Sequence, residues 1–233
     1  MTRPAHDAHS AVRSKKGPRP SRLLSDLNAD ISAQLVSIAS RRIVQAGETL
    51  FIQQSPHSHS FVIQTGLVRT FYVSGAGREV TLAYWSDGDI VGGPSLFGGG
   101  PHVWSAVAKR RSEVLAITGA DLRKLAQSTP KVMNWIVNAL EFKLRWLSIL
   151  FQIHGTERVH DRLAKLLLMM AELYGEDDGG DIVIEQRISQ SDLATLVGAS
   201  RQWTNRALAN LRDEGVIGMD GSSIRLRDAK ALR

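Results

Sequence analysis

From Ser189 to Leu211 the chain reads as two short helices joined by a tight turn, and few folds accommodate that spelling. Ser189 is a good N-cap, and Asp192 three residues on completes a capping box with a shorter acid than usual. Leu193, Ala194, Leu196 and Val197 follow at helical spacing, with Ala194 small enough to let a second helix come close. Gly198 stands where a sharp turn needs positive φ. Ser200 caps the next helix, whose buried stripe is Ala207, Leu208 and Leu211. That leaves Arg201, Gln202, Asn205 and Arg206 on the outer side. A rigid helix carrying Arg and Gln at its start suits a duplex major groove. Arg pairs with guanine O6 and N7, and Gln with adenine N6 and N7.

Asp213, Glu214 and Gly215 end that helix. Val216–Met219 and Ser223–Leu226 are short apolar-rich runs joined through Asp220 and Gly221, a strong hairpin signal. The C-terminal unit therefore reads as a winged helix-turn-helix. Ahead of it, residues 21–39 show a helical apolar pattern. From Arg41 to Ile117 the pattern changes to short apolar strands punctuated by glycines. The strand candidates are Thr49–Ile52, Ser60–Gln64, Leu67–Val73, Glu79–Trp85, Val103–Ala108 and Glu113–Ile117. Many short strands at this spacing indicate a closed or double-sheet β structure.

A helix over Ala120–Gln127 comes next, and a long one starts at Pro130, a suitable first-turn residue, and runs to Ile153. It is apolar on two faces. One stripe is Val132, Ile136, Ala139, Lys143, Trp146, Leu150 and Ile153; the other is Met133, Leu140, Leu144, Leu147 and Phe151. Both must be buried, one on the β structure and one on the same helix of a second subunit. Ile136 and Leu150 are expected at that subunit interface. A helix over Glu157–Tyr174 packs the C-terminal unit, and Tyr174–Asp181 is expected as a loop.

The whole is thus α+β, with an antiparallel, jelly-roll-like β-roll over residues 21–128, a dimerisation helix over 129–154 and a winged helix-turn-helix over 155–233. Residues 1–20 read as a disordered basic tail, with Arg3, Arg13, Lys15, Lys16 and Arg19 among prolines. The net charge of +6 favours a polyanionic partner. There is no long apolar run and no secretory h-region, so a cytoplasmic protein with no membrane partner is expected. The chain has no Cys, which excludes disulfides and an all-Cys iron–sulfur cluster. No Ser-His-Asp set, P-loop or dinucleotide fingerprint is visible, so no enzyme and no catalytic residue is expected. His57 and His59 sit among Ser and Pro in a turn, and their spacing to Glu79 and His102 is poor for a metal site.

At this point the chain resembles the Crp/Fnr family of bacterial transcription regulators. The resemblance rests on Leu193–Arg201, Asn205–Leu208 and Leu211–Ile217, on Gly77–Leu82, and on Gly88–Gly92 with Ser95–Phe97. It runs from about Leu23 to Arg227 in the family's order of β-roll, long helix and winged helix. It implies a homodimer that binds double-stranded DNA sequence-specifically, works with RNA polymerase, and answers to an effector sensed by the β-roll. DNA contacts are then expected from Ser200, Arg201, Gln202, Trp203, Asn205 and Arg206, with Thr204 pointing inward. Trp203 lies either on the DNA backbone or on the wing.

The same resemblance locates an effector pocket. Cyclic-nucleotide-binding members carry a Glu for the ribose, an Arg-Ser pair for the phosphate and a Thr-Ser pair for the base. Here those positions fall on Gly93, on His102 and Val103, and on Leu147 and Ser148. Without the Arg, a buried phosphodiester has no charged partner, so cyclic AMP is disfavoured. The pocket is expected from Gly92, Gly93, His102, Val103, Trp104, Leu147 and Ser148. Pro94, Leu96, Phe97 and Trp146 add apolar wall, and the pocket holds either a hydrophobic or aromatic ligand or filled core. Two alternatives are a haem-based sensor with His102 or His154 as axial ligand, and a β-roll module acting through protein partners.

Overall fold

The computed structural model describes residues 29–185, 189–220 and 223–232. The expected basic tail, residues 21–28 of the first helix, and Gly221 of the wing turn lie outside them. The described chain opens with α1 (Ala29–Ser37), whose Ile31 and Leu35 are buried. Strands β1 (Ser40–Val44), β2 (Thr49–Phe51), β3 (His59–Thr65), β4 (Leu67–Val73), β5 (Glu79–Ser86), β6 (Ile90–Val91), β7 (Ser105–Ala108) and β8 (Ser112–Thr118) follow. They form two four-stranded antiparallel sheets, in the orders β1-β8-β3-β6 and β2-β7-β4-β5.

Two cores explain the strand patterns. Phe61, Ile63, Val68, Ala83, Trp85, Ala106 and Val114 fill the space between the sheets. Val62, Leu115 and Ile117 point the other way, onto a second core built with Ile31, Leu122, Val132 and Ile136. The sheet holding β3 and β8 is therefore covered on both faces, which is why those strands read as unbroken apolar runs. Strand β5 is covered on one face, and its inward residues alternate as Thr81, Ala83 and Trp85.

Helix α2 (Gly119–Ser128) is capped by Thr118, whose hydroxyl accepts from the Asp121 amide. Helix α3 (Pro130–Thr156) runs along the roll. On its first stripe Ile136 and Leu150 are 1% and 6% exposed. The expectation that placed these two residues on a subunit interface is corrected for Ile136, which packs in the core with Val62, Leu115 and Leu122; Leu150 is buried at the floor of an outer groove beside Leu147 and Phe151, and α4 (Val159–Tyr174) follows. The second stripe is more open: Leu144 and Phe151 are 68% and 79% exposed, with Val137 beside them at 52%, while Met133, Leu140 and Leu147 are half-buried.

After α4 come β9 (Glu176–Asp178) and β10 (Asp181–Glu185), then α5 (Gln190–Val197), α6 (Arg201–Asp213), β11 (Ile217–Asp220) and β12 (Ser223–Leu226). The expected loop over Tyr174–Asp181 is thus mostly a hairpin. Its polar residues hide the strand signal, since β9 is exposed throughout. β10 pairs with β12, giving a sheet in the order β11-β12-β10-β9 behind the two helices.

Candidate nucleic-acid interface and sensor chamber

The helix-turn-helix is fixed by three local devices. At the start of α5, the Ser189 hydroxyl accepts from the Asp192 amide at 3.2 Å, and Asp192 Oδ2 accepts from the Ser189 amide at 2.9 Å. Gly198 ends α5 at φ 68° and ψ 33°, a left-handed conformation that a side chain would strain. Ser200 caps α6 by accepting from the Trp203 amide at 3.2 Å. Leu193, Ala194, Leu196, Val197, Thr204 and Leu208 are buried and hold the two helices together.

On α6, Arg201, Gln202 and Arg206 are exposed, and Asn205 is half-buried beside them with its carbonyl oxygen unpartnered. Thr204 is fully buried. Trp203 turns back and meets His160 of α4 edge-on, with ring centroids 5.5 Å apart. It anchors the helix from below instead of lying on the wing.

The reading unit also touches the β-roll. The Tyr84 and Thr195 hydroxyls are 3.0 Å apart, and Lys109 Nζ lies 3.2 Å from Asp192 Oδ1. Burial disfavours the Asp192 anion, but hydrogen bonds from Ser189 and Tyr84 and the Lys109 ammonium outweigh it, so its pKa falls below the usual value. Burial pushes the Tyr84 phenol well up.

Between the roll and α3 lies a small chamber lined by Thr70, Leu82, Trp85, Gly92, Gly93, Trp104, Lys143 and Leu147. Its free volume is about 20 Å³, room for a water molecule. Lys143 Nζ sits 3.4 Å from the centre of the Trp85 ring, a cation–π contact. Burial lowers the Lys143 pKa to about 8, with Asp89 working in the opposite direction. The Trp85 indole donates to the Thr70 hydroxyl at 3.0 Å, whereas the Trp104 indole N–H is buried without a partner. Leu82 and Leu147 separate this chamber from a wide apolar groove of about 760 Å³, lined by Val80, Ser148, Phe151 and His154 among others.

Residues 41–129 match the cyclic nucleotide-binding domain, and residues 161–233 match the Crp-like helix-turn-helix domain. The anaerobic regulatory protein of Bacillus subtilis is 31% identical over 207 residues, covering 85% of this chain and 84% of that one. The chain belongs to the Crp/Fnr family. A CRP-like cAMP-activated global transcriptional regulator of Mycobacterium tuberculosis is 29% identical over 187 residues, 80% of this chain and 83% of that protein. Among solved structures, a CooA mutant from Carboxydothermus hydrogenoformans superposes with a TM-score of 0.76 at 17% identity, covering 92% of this chain and 94% of its own. FixK2 from Bradyrhizobium japonicum gives 0.69 at 23% identity, covering 84% and 96%. The last two bear on fold alone. As a Crp/Fnr member the protein is a transcription regulator with a DNA-binding helix-turn-helix and an effector-binding type of β-roll. The relatives it matches are regulators, not enzymes.

Within this Crp/Fnr framework, Gly92, Gly93, Trp104 and Leu147 come together on the chamber. Ser148 faces the outer groove, and Val103 is exposed at 42%. His102 is buried behind Gly93, stacked on Phe51 at 3.9 Å and beside His57 at 4.5 Å. Burial, with His57 adding to it, lowers the His102 pKa to about 4. His154 gives its Nε2 to the Leu196 carbonyl at 2.7 Å. His102 is thus enclosed, whereas His154 lines the outer groove with its Nε2 already hydrogen-bonded. The chamber residues do not fit a cyclic nucleotide: no arginine lines it, and Gly93, in the position of the ribose-binding Glu, has φ 86°. The stripe spacing on α3 put Lys143 among apolar neighbours without marking it as functional; that lone cation in an apolar stripe was the available signal. Thr70, Leu82 and Trp85 carried no such signal, because they converge on the chamber only through the pairing of β4 with β5.

Proposed function

We propose that the protein is a homodimeric, sequence-specific regulator of transcription whose DNA affinity is set by a small effector at the β-roll. The observation that carries this reading is α6. A helix capped at both flanks of the turn, anchored by Thr204, Leu208 and Trp203, projects Arg201, Gln202 and Arg206 into solvent. Arg201 is the proposed guanine contact, Gln202 the neighbouring base contact, and Arg206 a second base contact or phosphate clamp. The Ser200 and Asn205 side chains flank them, and the Trp203 contribution is to hold the helix at its angle.

Dimerisation is supported by the open stripe of α3. Met133, Val137, Leu140, Leu144, Leu147 and Phe151 recur at spacings of four and three, the repeat of a two-stranded coiled coil. Two copies joined there present two recognition helices to half-sites about one helical turn apart. RNA polymerase is the proposed protein partner on the promoter, with the cytoplasm as the compartment.

Selection of bound duplexes from a random pool, with and without cell extract, tests the reading. A palindromic sequence should be enriched. Recovery of unbiased DNA under both conditions would overturn it.

A further inference from the structure

We propose that His154 is a positioning residue for DNA recognition. It ties the turn of the helix-turn-helix to the end of α3, and so fixes which spacing of operator half-sites the protein accepts, with Arg162 as the second part of the tie. The inference rests on reading the protein as a homodimer, joined along α3, that binds two half-sites.

The last carbonyls of a helix have no amide of their own helix to accept from, and each needs another partner. At the end of α5 the Ala194 carbonyl accepts from the Gly198 and Ala199 amides, the usual closure of a left-handed cap. The Leu196 and Val197 carbonyls are served from outside the helix: His154 Nε2 donates to Leu196 at 2.7 Å, and Arg162 Nη1 donates to Val197 at 3.4 Å. A carbonyl oxygen can only accept, so this bond places an imidazole proton on Nε2. The same guanidinium serves the end of α3. It donates from Nη2 to the His154 carbonyl at 3.3 Å and from Nε to the Glu157 carbonyl at 3.1 Å. One cation thus sits at the carboxyl ends of two helices, where both dipoles favour positive charge. The His154 and Arg162 side chains are both half-buried.

The tie is aimed at the turn itself. Gly198 follows Val197 and starts the left-handed step into α6, whose first residue is Arg201. A methyl group built on Gly198 would lie 3.3 Å from His154 Cε1 and 3.6 Å from Arg162 Nη1, so both side chains rest against the turn. Tyr84 and Lys109 hold α5 to the β-roll. His154 instead holds the point where α6 begins to the helix proposed to meet the second copy. In a dimer joined along α3, the separation and angle of the two recognition helices follow from how each head is fixed to α3. One base pair inserted between half-sites displaces one of them by about 3.4 Å along the duplex and about 35° around it. A tied head cannot follow that displacement. An untied head can turn about Glu157 and Arg158, the two residues between α3 and α4. Base preference inside a half-site comes from side chains of α6, which the tie does not touch.

The test uses the purified full-length protein and the operator selected from a random pool, with the half-sites held constant and the centre lengthened or shortened by one and two base pairs. Anisotropy titrations at fixed salt should show the native protein losing about tenfold or more in affinity per altered spacing, the size of a lost base contact. His154→Ala should bind the native spacing several-fold more weakly and bind all spacings within about threefold of one another. Its ranking of single-base variants within a half-site, its melting temperature and its mass in solution should stay as in the native chain. His154→Gln keeps a donor of similar reach and should restore much of the spacing preference. His154→Asn, whose shorter arm misses the carbonyl, is the second loss variant should alanine unfold the chain. A folded loss variant with the native spacing profile, one weakened equally at every spacing, or a glutamine variant no better than alanine would each overturn the assignment. A native protein that selects a two-half-site operator while the loss variants keep its spacing profile loses only the positioning role of His154. One that selects no sequence loses the regulator reading.

Discussion

Arg201 and His102 show how one side chain's surroundings decide its contribution. Arg201 is exposed at the first turn of α6 and has no internal task, so its removal should leave the fold intact. Arg201→Ala should weaken specific DNA binding by about 1–3 kcal/mol and relax the preference at one base pair; anisotropy titrations at fixed salt against the selected operator and its single-base variants check this. His102 is the opposite case. It is buried against Phe51, with its Nδ1 unpartnered, and its pKa falls to about 4. The unfolded chain takes up that proton near the ordinary value of about 6.5. Stability from the neutral imidazole is therefore complete above that pH and is lost as pH falls through the window down to about 4, at a cost of up to about 3 kcal/mol. Denaturant midpoints measured from pH 7 to pH 4 should fall for the native chain and fall less for His102→Phe, which keeps the stack and removes the proton site.

At the level of elements, what the sequence revealed depended on how local the cause of each element is. The helix-turn-helix was legible because its determinants are neighbours: Ser189 with Asp192, Gly198, and Ser200 with the Trp203 amide all act within three residues. The long helix was legible in extent, yet Ile136 was assigned to the wrong face. Periodicity finds an apolar stripe but not the surface that covers it, and here α1, α2 and the β3 sheet cover Ile136, which was given to the partner. The polar strand β9 went unread because it owes its pairing to β10, not to any apolar pattern of its own. The chamber had the same difficulty, being assembled from residues far apart in the chain. The corrected faces make a sharp prediction. Leu144→Asp with Phe151→Asp should leave secondary structure unchanged and halve the mass seen by light scattering. Ile136→Asp should instead unfold the chain, because it buries an unpaired carboxylate at a cost of several kcal/mol.

For the molecule as a whole, the question is whether the reading head and the sensor behave as one body. Three contacts argue that they do. Tyr174 at the end of α4 packs edge-on against Phe142 and Trp146 of α3, at 5.8 and 6.0 Å. Tyr84 meets Thr195, and Lys109 meets Asp192. Tyr84 adjoins Trp85, which lines the chamber, so a single strand carries a chamber wall and a grip on α5. The Asp192 carboxylate does two jobs, since it also closes the capping box of α5. Removing it should thus cost more than removing its partner: about 1–2 kcal/mol for Asp192→Asn through the lost cap and the lost pair together. Lys109→Met should cost about 0.5–1 kcal/mol, since the lysine is partly solvated. A double-mutant cycle isolates the docking contact from the cap, and a coupling of about 0.5–1 kcal/mol is expected. Asp192 is held below its usual pKa, so the stabilisation it gives is complete above the unfolded value of about 3.9 and fades as pH drops below it. The coupling should fade with it. A cycle that closes to zero at neutral pH would mean that the head swings free of the sensor in solution, and that a signal at the roll must reach the DNA through α3 alone.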